Sequence, residues 1–455
     1  MATVITPRIV NLSASVVYAP KPSQLQQSGA LVSVGGTTLT TGTYQFIPAA
    51  SSLTAILSTA GNYAELTNMA SSFFAQGNAV GFYVLELGAN ADVVAQINAL
   101  QTWITANPRV FYAYLTPADW DIDGEEVGSI TYPTNTATYT TAPTITIAAP
   151  TGTGGIQATA TAQIDTSGAL TGITITNPGY YPAQPAPTAT LSAASTGTSP
   201  TLTVNLVNEF AVMANNYASP TSKTYFFGTT TYQTITNYLT QSGSPGSGPK
   251  SLYMKCPSPV SPSTEFPAAE DFYQWLSNNP GPAKQLSGMA YRYLYGTTPW
   301  PDSGYSNEID TILSNYGNYT GTGADGGSSN ACILKGTTMD GEQASFWYGV
   351  DWAQINSQLQ VSAEVINGAN TQPPLIYNQS GVNTLQSVAQ SVLNKAVKYN
   401  CILSGTVTAT PFYTYVTDNP GNYKAGIYGG LLGSITGIAG FLEIDYQMTV
   451  SEFVA

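Results

Sequence analysis

Histidine is absent from all 455 residues. Its absence removes His-based nucleophilic triads, His-containing zinc sites and the usual general base near neutral pH. Charge is scarce too. Only 8% of residues are Asp, Glu, Lys or Arg, against about 25% in an ordinary soluble domain. The few Lys and Arg form no cluster, and the net charge is −13, so nucleic acid is excluded as a partner. Cysteine is limited to Cys256, Cys332 and Cys401, an odd number without metal-ligand spacing. They read as reduced, part-buried thiols of a chain made in a reducing cytoplasm. The first residues, MATVITPRIVNL, place Pro7 and Arg8 where a signal peptide needs an apolar core.

What is present is an apolar fraction of 43%, enough for a large core. The length predicts about three domains. Gly, Thr, Ser, Asn and Tyr take the place of surface charge. Such a surface costs little to desolvate, because few ions must be stripped of water. It fits a surface built to be covered by neighbouring molecules, or an ordinary secreted β-rich protein.

The best-specified stretch runs from Thr338 to Thr410. Ala344, Phe346, Tyr348 and Val350 alternate and predict a strand. A helix with Trp352, Ile355 and Leu359 on one face should follow, ended by Pro373-Pro374. Ser380 is expected to cap a second helix whose Val382, Leu385, Val388, Ala389, Val392, Leu393, Ala396 and Val397 form an apolar stripe. Cys401–Thr410 then returns as a strand.

Elsewhere, Val10, Leu12, Ala14 and Val16 alternate with polar residues, so 1–25 reads as an extended arm. Val34-Gly35-Gly36-Thr37 is expected to be a hairpin turn. A helix through Leu66–Phe74, a strand Val80–Leu87, a helix Ala91–Ala106 and a strand Val110–Leu115 give an α/β rhythm with adjacent parallel strands. The rhythm breaks over 122–208, a Thr/Ala/Pro/Gly-rich stretch of short strands that predicts an inserted β-sandwich or barrel. The phrase Ala-Pro-Thr-x-Thr occurs twice there, at Ala142–Thr146 and Ala186–Thr190. A helix Glu209–Tyr217 and a strand Lys223–Gly228 resume the rhythm, so the α/β domain is discontinuous (26–121 and 209–330). Residues 317–329 read as a Gly/Ser-rich loop. A second α/β domain spans 331–440, with Gly426–Gly440 as a flexible tether. The tether leads to an arm, 441–455, where Leu442, Ile444, Tyr446, Met448 and Val450 alternate with polar residues. Burying those apolar side chains is worth roughly 7–15 kcal/mol gross, at about 1.5–3 each, before ordering costs. The fold class is therefore an α/β (α+β) core with an inserted all-β domain and extended strand arms at both ends.

Candidate sites are few. Asp119, Asp121 and Asp123 match the first half of a calcium loop, but its twelfth position is Ile130 rather than Glu; the alternative is an acidic turn at the insert junction. Gly321–Gly326 fits a GxGxxG pattern, without the strand and helix a dinucleotide site requires. Glu125/Glu126 and Glu270/Asp271 are the carboxylate pairs a hydrolase would use, against a reading as solvated surface. Ala425–Leu442 is uncharged, so a membrane span is an alternative there, but its glycines and the following strand weigh against it.

In their order and spacing, several pieces resemble the contractile tail sheath proteins of bacteriophages. These are GNYAELTNMASSFFAQ followed by GFYVLELG; RVFYAYLTPADWD, leading after the insert to EFAVMANNYASPTSKTYFFGT; and the Thr338–Thr410 unit with PPLIYNQSGVNTLQSVAQSVLNKAV. Together they span most of the chain outside 122–208. The resemblance implies no catalysis and no cofactor. It implies a virion tail sheath subunit, assembled in the host bacterial cytoplasm. Its expected partners are itself, in stacked hexameric rings, the inner tail tube protein, and baseplate and tail terminator proteins, with no membrane insertion. It implies that terminal strands add to neighbouring subunits' sheets, which would make Val10, Leu12, Ala14, Val16, Leu442, Ile444, Tyr446, Met448 and Val450 the linking residues. The competing reading is a tail or cell-surface adhesin that holds carbohydrate on the insert, with Tyr180 and Tyr181 on an exposed face.

Overall fold

The computed structural model describes residues 22–442 apart from 91, 122–125, 135, 152–154, 182–185, 240–246, 302 and 325–327. Val10–Val16, Asp123, Glu125 and everything beyond Leu442 lie outside the described residues.

The central sheet is built from β1 (Gly29–Ser33), β2 (Tyr44–Ile47), β3 (Phe82–Glu86), β4 (Ala113–Leu115), β11 (Tyr225–Thr229) and β12 (Leu252–Lys255), in the order β12-β11-β4-β1-β3-β2. All neighbours are parallel except β2, which runs antiparallel to β3 at the edge. Every residue of β1 is buried, as expected for a central strand covered on both faces. This overturns the hairpin expected at Val34–Thr37: β1 pairs with β3 and β4, and the next strand, β2, runs back in the opposite direction but with β3 between it and β1. Strands β3 and β4 are parallel but not adjacent, because β1 lies between them.

Alternate side chains of these strands feed two cores. Leu31, Val84, Leu115, Phe227 and Tyr253 pack with α2 (Tyr63–Ala75, after the single turn α1, Ala50–Leu53) and α5 (Pro267–Leu276). Ala30, Val32, Leu85, Phe226 and Met254 pack with α3 (Val93–Ala106) and α4 (Glu209–Asn215). Leu66, Met69, Ala70 and Phe73 recur at three- and four-residue spacing and are buried on one face of α2. The Asp92 carboxylate caps α3, accepting from the Ala95 amide at 2.8 Å.

Between β4 and α4 the described chain contains strands and no α-helix. β5 (Glu126–Thr131) pairs antiparallel with β10 (Thr203–Val207), β6 (Ile145–Ile147) with β9 (Ala189–Leu191), and β7 (Thr159–Ile164) with β8 (Leu170–Asn177). The repeated Ala-Pro-Thr-x-Thr phrases meet in this region, with Thr146 opposite Thr190. A small core of Val127, Ile130, Ile147, Tyr181, Leu202 and Val204 joins the pairs.

The C-terminal part departs from expectation in several places. Helix α6 (Ser306–Ser314) leads not to a loop but to an antiparallel hairpin, β13 (Tyr319–Ala324) and β14 (Ser328–Leu334). The boundary placed at residue 330 therefore falls inside a strand, just as the one at 25 falls inside the 3-10 helix Pro22–Gln27. The strand expected over 344–350 is the start of α7 (Ala344–Gly368, 25 residues). Its buried residues Ala344, Tyr348 and Asp351 stand four and three apart, a helical spacing that the alternation of bulky residues concealed. The second helix, α8 (Gln379–Lys398), is capped by Asn378, whose side chain accepts from the Gly381 amide at 2.9 Å, rather than by Ser380. β15 (Ile402–Ala409) follows, then α9 (Phe412–Asp418) and α10 (Pro420–Lys424). The stretch expected to be a flexible tether contains β16 (Leu431–Gly437), which pairs antiparallel with β15. Among the described residues no helix is long and apolar enough to cross a membrane.

Candidate assembly surfaces and buried acidic groups

The acidic turn lies at the end of β4. Asp119 sits in the 3-10 helix Ala118–Trp120. Burial raises its pKa. Beside it, Glu65 accepts from the Ala118 amide at 2.8 Å, and burial pushes its carboxyl up to about 7. The carboxylate of Asp121 is occupied: Thr230 and Tyr238 hydroxyls donate to Oδ1 at 2.9 and 2.7 Å, and Thr234 donates to Oδ2 at 2.9 Å. These hydroxyls tie the turn to the segment after β11. Among the described residues no group of three Asp, Glu, His or Cys is placed to hold a metal ion.

Of the expected carboxylate pairs, the described members Glu126, Glu270 and Asp271 are buried, not solvated. Asp271 forms an ion pair with Lys255, both contacts 2.9 Å, and accepts from the Tyr253 hydroxyl at 2.7 Å. Both oxygens of Glu270 are buried without a geometrically sound hydrogen bond, and burial pushes this carboxyl up to about 9. It is held as the neutral acid. Glu126 opens β5 and Glu209 opens α4, so they face each other at the neck of the inserted strands. Burial and then the neighbouring Glu209 push Glu126 up to about 9, and burial raises Glu209 as well.

A second buried cluster joins α7 to the central sheet. Lys223 Nζ lies 2.7 Å from Asp351, which also accepts from Tyr112 (2.9 Å) and Tyr225 (2.8 Å) hydroxyls. The Lys250 ammonium lies 4.6 Å from the Trp347 ring centre and 5.2 Å from that of Tyr225. Tyr348 donates to the Asn278 carbonyl at 2.6 Å. Periodicity could not single out Asp351; the only signal was an acid inside an apolar helical run. The three cysteines are buried and unpaired.

The β15–β16 sheet packs one face on α7 and α8 over a groove of about 390 Å³ lined by Val361, Ala389, Leu393, Val407, Leu431 and Ile435. On its other face Leu403 and Leu432 are 62% and 63% exposed. No described strand pairs with its outer edges. Of the expected linking residues only Leu442 is described, and its carbonyl accepts from the Tyr291 hydroxyl. Tyr181, expected on an exposed face, is fully buried: its hydroxyl accepts from the Ala158 amide at 2.9 Å and donates to the Ala148 carbonyl at 3.0 Å. Tyr180 is half-buried.

No known family profile matches the chain, and no curated protein matches it by sequence. Solved structures do. A chain of the anti-feeding prophage (AFP) baseplate, 6-fold symmetrised, aligns at 10% identity over 99% of this chain and 100% of its own, with a TM-score of 0.52. A chain of the AFP helical sheath in the contracted state aligns at 8% identity over 98% and 99%, with a TM-score of 0.49. The sheath tail protein Lin1278 from Listeria innocua aligns at 8% identity over 84% and 88%, with a TM-score of 0.34. The first of these shows one fold shared along the whole chain.

Proposed function

We propose that the chain is the structural subunit of a contractile tail sheath. Copies polymerise as stacked hexameric rings around an inner tail tube, between baseplate and terminator. Contraction then drives the tube through the host envelope to deliver the genome. The observation that carries this reading is the end-to-end alignment with the AFP baseplate chain. The β15–β16 sheet supports it, because unpaired edges beside exposed Leu403 and Leu432 accept added strands. Residues 1–21 and 443–455 supply those strands in neighbouring copies. The burial of Tyr181 removes one of the two tyrosines expected to serve the adhesin reading.

Negative-stain electron microscopy of the purified protein at micromolar concentration tests the proposal. Striated hollow tubes or stacked rings are expected. A monomer or small oligomer that persists under assembly conditions would overturn it.

A further inference from the structure

The chain is held at two points just before the described residues end. The Gln343 side chain, at the start of α7, accepts from the Gly440 amide and donates to the Gly440 carbonyl, both at 2.8 Å. Two residues on, the Tyr291 hydroxyl donates to the Leu442 carbonyl. Tyr291 sits at φ +61, a backbone region that bulky residues rarely occupy.

These points define a heading. Residues 291–294 run antiparallel to β14: the Tyr291 amide donates to Ile333, and the Leu294 amide to Ala331. Gln343 lies toward the Gly336 end of that pairing, since the Ala344 amide donates to the Gly336 carbonyl. Passing from Gly440 to Leu442 therefore moves the chain from the Gly336 end toward Tyr291, and the same line continues over Tyr293 and Tyr295. Both tyrosines, with Tyr291, face outward and are 48–61% exposed, whereas Leu294 between them is buried. Their backbone is fixed from behind: Gln274 donates to the Tyr293 carbonyl at 3.3 Å, and Gln76 bonds both the amide and the carbonyl of Tyr295, at 2.9 and 2.7 Å. The row is exposed, and its backbone is anchored at Tyr293 and Tyr295.

We propose that this tyrosine row is a dock for the chain's own C-terminal segment in the unassembled subunit. An extended chain advances about 3.3 Å per residue on both surfaces. With Leu442 at Tyr291, Ile444 falls over Tyr293 and Tyr446 over Tyr295. Leu442, Ile444 and Tyr446 share one face of an extended segment, so the same alternation that suits a donated strand suits this row. The dock keeps an apolar arm covered until a neighbouring copy takes it. The inference rests on the alternation of residues 442–450 and does not require that the polymer be a sheath.

Acetylation of tyrosine by N-acetylimidazole, read by peptide mass spectrometry, tests it. The full chain is compared at submicromolar concentration with Ile444→Asp and with a chain ending at Leu442. Residues 291–295 are expected to react several-fold faster in both variants, with unchanged reactivity elsewhere. Equal reactivity in all three chains would overturn the proposal. So would protection that appears only as concentration rises, which would assign the row to a second copy. Gln343→Ala gives a separate readout: it should raise reactivity at Tyr293 and Tyr295 while circular dichroism stays unchanged.

Discussion

Asp351 is the residue on which the attachment of α7 to the sheet depends. It satisfies Lys223 and two tyrosines at once, with no exposed surface of its own. Removing one partner of a buried pair leaves an uncompensated charge, so Asp351→Ala should destabilise the chain by about 3–5 kcal/mol, seen as a lower urea midpoint. Lys223→Met with Asp351→Leu should recover much of that loss, since an apolar pair of similar volume needs no charge compensation. The raised carboxyls act differently. Unfolded, each titrates near 4.5; folded, Glu65 titrates at about 7, and Glu126 and Glu270 at about 9. Between those values the folded chain holds more protons than the unfolded one. Their contribution is thus fully present below about 4.5 and is lost as pH rises through 7 and 9. Thermal melts should show higher stability at pH 6 than at pH 9, and Glu270→Gln should flatten that slope. A slope unchanged by Glu270→Gln would mean that the carboxyl is not neutral in the folded state.

At the scale of elements, two glycines set how closely the C-terminal pieces approach. A Cβ at Gly437 in β16 would lie 1.9 Å from the Phe346 ring of α7, and one at Gly349 in α7 would lie 1.9 Å from the Cys401 carbonyl oxygen. Gly437→Val should force β16 off α7 at a cost of about 1–3 kcal/mol or more, read as faster proteolysis between α10 and residue 440. The same contacts explain why this part was hard to read. Helices α2, α3 and α8 announced themselves because their apolar residues recur at helical spacing over several turns. The start of α7 did not, because Phe346 packs on β16 while Tyr348 packs on Tyr112 of the sheet, so every second residue looked alike. β16 was obscured by its glycines, of which Gly437 serves the packing on Phe346. Glu126 and Glu209 are 83 residues apart by number, and only the pairing of β5 with β10 brings them together; no local pattern carries that. Neither Gln343 nor Tyr291 had a local signature, because their partners lie at the far end of the chain.

At the scale of the whole molecule, scarcity of charge is consistent with a surface that is covered on assembly, since few ions need to be dehydrated there. A chain ending at Leu442 should keep its fold, by circular dichroism and melting, yet fail to form rings or tubes; normal polymers from it would remove strand donation from the scheme. The antiparallel pair β5–β10 has a different consequence. The chain leaves the α/β body along one strand and comes back along the next, with Thr131 opposite Thr203. The 71 residues 132–202 thus hang from a base one strand-spacing wide, about 5 Å. Apart from Tyr180, which packs against the body's core, the junction is one that an Asn-Gly turn closing a hairpin, or a foreign domain whose termini are neighbours, would also fit. If copies polymerise as proposed, the polymer carries a grafting point repeated once per copy along its length.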